Sequence, residues 1–252
     1  MKVVPVLDLL GGVVVRGVAG QRESYQPVDC PFAASAQPPD VAAGLAGAFD
    51  FSTLYVADLD AIGGGPLNPS TYEAIQRNSD NRPLALWIDA GAGDCRRAAA
   101  LASLPTAPRV VIGLESIASL DDLPALFAAA GESPIFSVDL LGGRPWNESF
   151  ANRTPLEIAS CAIDAGFRRL IVLDLARVGG EDGLSVLDLC RQVKTRFPDV
   201  DFISGGGVRG GGELRRRPGR SRPGPRRVSR ERPGAGFPGD RQAVPRSPGR
   251  RP

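Results

Sequence analysis

The sequence predicts an α/β fold, a (β/α)8 TIM barrel made of two half-barrel repeats, and three ordered internal echoes predict it. Asp8-Leu9-Leu10-Gly11-Gly12 returns as Asp139-Leu140-Leu141-Gly142-Gly143, 131 residues later. Leu54–Gly64, built around Asp58, returns as Leu170–Gly180 around Asp174, 116 residues later. Ile88–Gly93 returns as Ile203–Val208, 115 residues later. Self-similarity at one long period, kept in order, marks duplicated halves. A length of 252 suits such a barrel, which runs to about 250 residues as one domain.

Strand-like runs fall at Val3–Leu7, Thr53–Ala57, Leu84–Ile88, Arg109–Gly113, Pro134–Val138, Arg169–Leu173 and Val200–Ser204. Each is short, rich in Val, Ile and Leu, and without polar alternation, as strands buried on both faces of a parallel sheet require. Helix-like stretches lie between them at Asp40–Phe49, Ser70–Arg77, Asp94–Ser103, Leu120–Ala130, Thr154–Ala165 and Leu184–Arg196. Asp40, Ser70, Asp94 and Thr154 open four of these as cap-type residues, and Gly131 and Gly166 close two. Alternation at this spacing means βαβ units with right-handed crossovers. Seven strands are encoded, and the half-repeat demands an eighth at about 224–228. Gly-Pro-Arg-Arg-Val stands there, and Pro225 cannot sit inside a central strand.

Composition divides the chain. Residues 1–210 carry 17 basic and 25 acidic side chains, whereas 211–252 carry 13 arginines and three acids, and 29 of those 42 residues are Arg, Pro or Gly. The expected organisation is therefore an incomplete barrel domain over 1–210, with seven βα units, and a disordered tail over 211–252. A basic arm for nucleic acid is one reading of the tail. The preferred one is an out-of-frame translation, because Arg, Pro and Gly codons are GC-rich and so is the codon usage implied by the body. No nucleic-acid partner is then expected, and no obligate protein partner. With strands one and seven unpaired, the product is expected to be poorly stable and prone to aggregate.

Other classes are excluded by composition. The chain has no histidine, which removes histidine-activated nucleophiles and histidine metal sites. Cys30, Cys95, Cys161 and Cys190 form no C-x-x-C pair, which argues against a zinc knuckle and fits reduced thiols in a cytoplasmic protein. The start reads as a strand from Lys2 rather than a leader, and no apolar run approaches about 18 residues, so no membrane association is expected.

Barrel active sites are built on the C-terminal ends of the strands. Asp8 ends the first predicted strand and Asp139 the fifth, opposite each other. Two facing carboxylates serve as general base and general acid when their environments separate their proton affinities. The alternative is that each aspartate caps its own turn; symmetry-related placement before Gly-Gly favours catalysis. Gly91 and Gly93 follow the third strand, Gly205, Gly206 and Gly207 the seventh, and Gly113 the fourth. Glycine turns before helices let backbone N–H groups approach phosphate, and two related turns predict a small metabolite phosphorylated at both ends. No metal site is expected.

Val4-Pro5-Val6-Leu7-Asp8-Leu9 with Val14-Val15-Arg16, then Val56-Ala57-Asp58-Leu59-Asp60, Phe136-Ser137-Val138-Asp139 and Ser204-Gly205-Gly206-Gly207-Val208-Arg209 resemble the histidine-biosynthesis isomerase/cyclase barrels, nearest to their isomerase branch. The resemblance runs from Val3 to about Arg209. It implies an aldose–ketose rearrangement of an N-ribosyl phosphate without a cofactor, Asp8 as base and Asp139 as acid. Arg16 then reaches a phosphate or orders the following loop, and Asp174 joins it in binding substrate.

Departures from that pattern are also legible. The family's sixth strand ends Thr-Asp-Ile and continues Ser-Arg-Asp-Gly; here Leu173-Asp174-Leu175 and Ala176-Arg177-Val178-Gly179 stand instead. Gly-Thr after strand four is Gly113-Leu114, and Gly-Gly-Gly-Ile-Arg after strand three is Ala90-Gly91-Ala92-Gly93-Asp94. Asp94 puts negative charge where a phosphate would sit. Losing hydrogen-bond partners for one substrate marks a different one. The chain thus resembles a divergent paralogue, of the kind found beside one-carbon (methanopterin-type) cofactor genes, or a catalytically silent phosphometabolite-binding protein.

If the tail is a frame artefact, sequencing the gene should reveal one inserted or deleted base near the codons for Arg209–Glu213. The restored frame should encode a run of apolar residues roughly 20 positions after Val208, because a barrel must close. An intact frame, with steeply salt-dependent nucleic-acid binding lost on deleting 211–252, would establish the basic arm instead.

Overall fold

The computed structural model of the chain describes residues 3–18, 20–77, 83–177 and 187–205. Gly206, Gly207, Val178 and the predicted tail over 211–252 lie outside the described residues. Ten strands form one sheet: β1 (Val6–Leu10), β2 (Val13–Arg16), β3 (Gln26–Pro27), β4 (Thr53–Asp58), β5 (Ala85–Asp89), β6 (Arg109–Gly113), β7 (Ile135–Leu141), β8 (Arg144–Pro145), β9 (Arg169–Asp174) and β10 (Asp201–Gly205). Seven of them run parallel in chain order, β1-β4-β5-β6-β7-β9-β10, each paired with the next. This is a (β/α)8-type barrel lacking its eighth strand among the described residues. Val3 and Val6, at the edge of β1 that an eighth strand would cover, are 53% and 55% exposed.

The other three strands are hairpin arms, and they explain the pentapeptide echo. Gly11 and Gly12 have φ of 60° and 80°, Gly142 and Gly143 of 60° and 81°. Two consecutive left-handed residues make the tight two-residue turn whose twist matches its flanking strands, and glycine takes it without steric cost. Leu10 accordingly pairs with Val13, and Leu141 with Arg144. Asp8 therefore lies inside β1, opposite Val15, rather than at its end, because the strand runs on into its hairpin. The boundary expected at Leu7 moves three residues for the same reason.

Helices α1 (Pro38–Ala48), α2 (Leu59–Ile62), α3 (Pro69–Arg77), α4 (Cys95–Ala102), α5 (Leu123–Ala129), α6 (Pro155–Asp164) and α7 (Leu187–Arg196) lie between the parallel strands. Asp94 caps α4, and Thr154 with Glu157 forms a reciprocal capping box on α6, as the sequence predicts. Asp40 and Ser70 do not cap. Prolines at the starts of α1 and α3 draw both helices upstream of them, proline being favoured in a first turn. Leu120–Asp122 is a 3-10 turn preceding α5, with Ser119 as its cap.

The parallel strands separate two apolar layers by side-chain alternation. Leu7, Leu54, Val56, Ile88, Val110, Ile112, Phe136, Val138, Leu170 and Val172 face outward and form the main core with the helices. Phe167 links that core to the helix layer, edge-on to Phe127 at 5.1 Å and tilted against Phe136 at 5.6 Å. Inside the barrel Trp87, Val111, Ile135 and Ile171 form a smaller plug, flanked by Val4, Tyr55, Leu173 and Ile203. The Arg169 guanidinium lies 5.6 Å from the Trp87 ring centre and bridges to Asp201 at 3.2 Å.

Candidate functional site

Above the plug the inner face turns acidic. Asp8 of β1, Asp89 of β5 and Asp139 of β7, with Glu115 just past β6, line one cavity of about 370 Å³ with Tyr55, Arg22, Leu173 and Gly205. Asp8 is partly buried, whereas Asp89 and Asp139 are 3% and 5% exposed. Asp139 Oδ1 accepts the Ser137 hydroxyl at 2.5 Å; its Oδ2 is buried without a partner among the described residues. Asp89 accepts the Tyr55 hydroxyl and the Gly91 N–H, each at 3.3 Å. Arg22, from the loop after β2, donates to both oxygens of Glu115 at 2.9 and 2.7 Å.

Removing carboxylates from water raises their proton affinity, and each aspartate shows it. Burial lifts Asp8 to about 6, against the nearby Arg22 charge. Burial, then repulsion from Glu115, lifts Asp89 to about 7. Asp139 is driven well above the ordinary carboxylate range by burial, then by the charges of Glu115 and Asp89. The Tyr55 hydroxyl, buried beside the same carboxylates, is likewise pushed up. At neutral pH Asp8 is mostly ionised, while the surroundings of Asp139 favour its protonated form. One cavity thus holds two carboxyls in unlike electrostatic surroundings.

The remaining sequence-predicted residues have varied surroundings. A Cβ at Gly113 would stand 3.1 Å from Asp89 Oδ2 and 3.2 Å from Asp139 Oδ2, so a side chain there would crowd both carboxyls. Gly93 admits no side chain, because its Cβ would overlap the Ser116 carbonyl oxygen. Gly91 has φ of 74° and packs against Ala61 and Ile62. The Gly91 and Gly93 amides are engaged internally, Gly93 N–H donating to the Gly91 carbonyl at 2.7 Å. Asp94 turns toward its own helix and accepts the Arg97 N–H at 2.8 Å. Gly205 ends β10 on the cavity wall, with the Leu173 Cδ1 methyl 3.1 Å from its Cβ position.

Asp174 faces outward and is 1% exposed. It accepts the N–H groups of Gly142, Gly143 and Ala176 at 2.9, 3.0 and 3.2 Å, which ties down the β7–β8 hairpin. In the first half Asp60 does the same work, accepting the Gly11 N–H at 2.7 Å. Arg16 is exposed at the end of β2. Asp89, Glu115, Arg22 and Tyr55 are the site residues that sequence reading does not single out. The half-repeat partner of Asp89 is Ser204, so no acidic echo exposes it.

Parallel strands carrying inward-facing acids at their C-terminal ends define the class of α/β barrel with its chemistry at the mouth. The family described as histidine biosynthesis protein matches residues 2–217, and the chain belongs to that family. It is also similar to an uncharacterized protein of Methanocaldococcus jannaschii, 26% identical over 213 residues, covering 83% of this chain and 84% of that one. No described helix is long and apolar enough to cross a membrane.

Raised carboxyl proton affinities have a cost that depends on pH. Asp8 and Asp89 bind protons more tightly folded than unfolded, so the stability this contributes is full below about pH 4 and is lost as pH rises through about 6 and 7. The melting temperature should therefore fall between pH 5 and pH 8. Asp89→Asn should flatten that fall and stabilise the fold at pH 8 by roughly 1–4 kcal/mol. A calorimetric pH series checks it; equal pH dependence in wild type and variant would refute the burial account.

Proposed function

We propose that the protein is an aldose–ketose isomerase for a small phosphorylated N-glycoside, working by proton transfer between Asp8, Asp139 and substrate. One observation carries this reading: two carboxyls on the inner strand face line one cavity, burial raises the proton affinity of both, and the charges of Glu115 and Asp89 raise that of Asp139 further. Groups so poised act as base and acid at the same pH. Asp139 donates its proton to the ring oxygen as the C1–O bond breaks, leaving a C1=N iminium. Asp8 then takes the C2 proton, giving an enolamine that tautomerises to the aminoketose. Atoms and charge balance, since one proton enters and one leaves. The Ser137 hydroxyl fixes the Asp139 rotamer, and the Arg22–Glu115 pair spans the loops beside Asp8.

A second reading keeps the barrel and its cavity but changes the substrate, and Leu173 favours it. An apolar side chain leans over Gly205 where the family carries a threonine hydroxyl, so the wall offers shape rather than a hydrogen bond. A paralogue acting in one-carbon cofactor synthesis, or a silent phosphometabolite binder, fits that wall.

Complementation separates these readings. A frame-corrected gene should restore growth to an isomerase-deficient histidine auxotroph. Asp8→Asn and Asp139→Asn should each lower kcat by about 10²–10⁴-fold. Wild-type kcat/KM should rise through about pH 6 as Asp8 ionises and fall at higher pH as Asp139 loses its proton. Failure of the folded, frame-corrected protein to complement would hand the site to another substrate; growth surviving Asp8→Asn would remove the base assignment.

A further inference from the structure

Asp89 places a third carboxyl in this cavity, and the mechanism above does not use it. Its Oδ2 and that of Asp139 converge on one point, 3.1 and 3.2 Å from where a Gly113 side chain would begin. Among the described residues the only cation lining the cavity is Arg22, and its guanidinium is committed to both Glu115 oxygens. Asp139 Oδ2 is left buried with no donor, and buried acceptors in folded proteins are paired as a rule. Apolar Leu173, Leu175 and Ile203 also line the cavity, Leu173 directly beside Asp139 in the β7–β9 ladder. Low-dielectric walls around like charges concentrate the field they produce. No cluster of described His, Cys, Asp or Glu side chains is spaced to hold a metal ion. A nitrogen cation supplies N–H donors to such oxygens.

We infer that this cavity recognises the protonated nitrogen of an organic cation: Asp89 and Asp139, with Asp8, take its N–H donors, while Leu173 and Leu175 carry the apolar part of the same molecule. This deepens the reading of the cavity as a substrate site and rests on it. Any phosphate of the substrate must then lie away from this acidic floor, toward the rim. The groups facing Asp89 are Tyr55 from β4, Glu115 past β6, Asp139 from β7, and Arg22 and Asp8 from the first βα unit. Lowering the pH neutralises Asp8 and Asp89 while the ammonium stays charged, so affinity falls with acidity.

Benzylammonium and its neutral counterpart, benzyl alcohol, probe this directly by calorimetric titration of the full chain. At pH 7.5 benzylammonium should bind about tenfold tighter than the alcohol, since charge pairing in a desolvated site adds at least that much. The advantage should shrink about tenfold in Asp89→Asn and disappear at pH 5. Asp8→Asn serves as the second variant if Asp89→Asn does not melt cooperatively. Equal affinities for amine and alcohol, no measurable binding of the amine, or an advantage untouched by either folded variant would overturn the inference. Isomerisation without amine preference would sink this inference alone, and amine binding without isomerisation would sink only the isomerase reading.

Discussion

Everything distinctive about this protein follows from taking carboxyl groups out of water on the concave face of a parallel sheet. Alternation along each strand sends Leu7 and Leu9, Ile88, and Val138 and Leu140 outward to the helices, where they make the main core. The same alternation sends Asp8, Asp89 and Asp139 inward. The apolar plug of Trp87, Val111, Ile135 and Ile171 packs inside the barrel on the same face of the sheet, so Asp89 and Asp139 are almost wholly buried. A buried carboxylate either finds a partner or takes up a proton. Here the partners are few: the Ser137 hydroxyl and the Leu114 amide for Asp139, one tyrosine and one amide for Asp89.

That scarcity differs from the treatment of acids elsewhere in the chain. Asp58 is equally buried, yet it caps α2 through the Ala61 N–H at 3.0 Å and accepts the Tyr72 hydroxyl at 2.5 Å. Asp174 is buried with three N–H donors. Both point to the helix side of the sheet, where backbone donors are plentiful. The fold therefore sorts its acids by face, with those outside holding turns and those inside lining a cavity, where Asp139 Oδ2 has no hydrogen-bond partner among the described residues. Leaving acceptors unmet costs stability, and such conflicts concentrate at functional sites.

The barrel and two of its acids were legible because duplication leaves two copies of each signal. Asp8 and Asp139 stand before identical Leu-Leu-Gly-Gly stretches, and neither copy alone separates a catalytic residue from a turn residue. Their Gly-Gly pairs are the turns of hairpins, whose return strands the sequence does not announce. Asp89 stayed hidden because the repeat offers Ser204 in its place. The Arg22–Glu115 pair joins residues 93 positions apart, and nothing local in either segment announces a partner. The family resemblance puts Asp174 among the substrate-binding residues, whereas the structure turns it to the helix side. The period-two pattern that would have pointed it outward is blurred in a strand apolar on both faces.

The central claim is that one cavity keeps Asp8 as a base and Asp139 as an acid at the same pH. Carbon-13 NMR of aspartate side-chain carboxyls across pH, assigned with Asp8→Asn and Asp139→Asn, measures this directly. The account requires the Asp8 carboxyl to titrate near 6 and that of Asp139 to stay protonated well above it. Two resonances both titrating in the ordinary range near 4 would contradict it, and the acid–base assignment would fall with them.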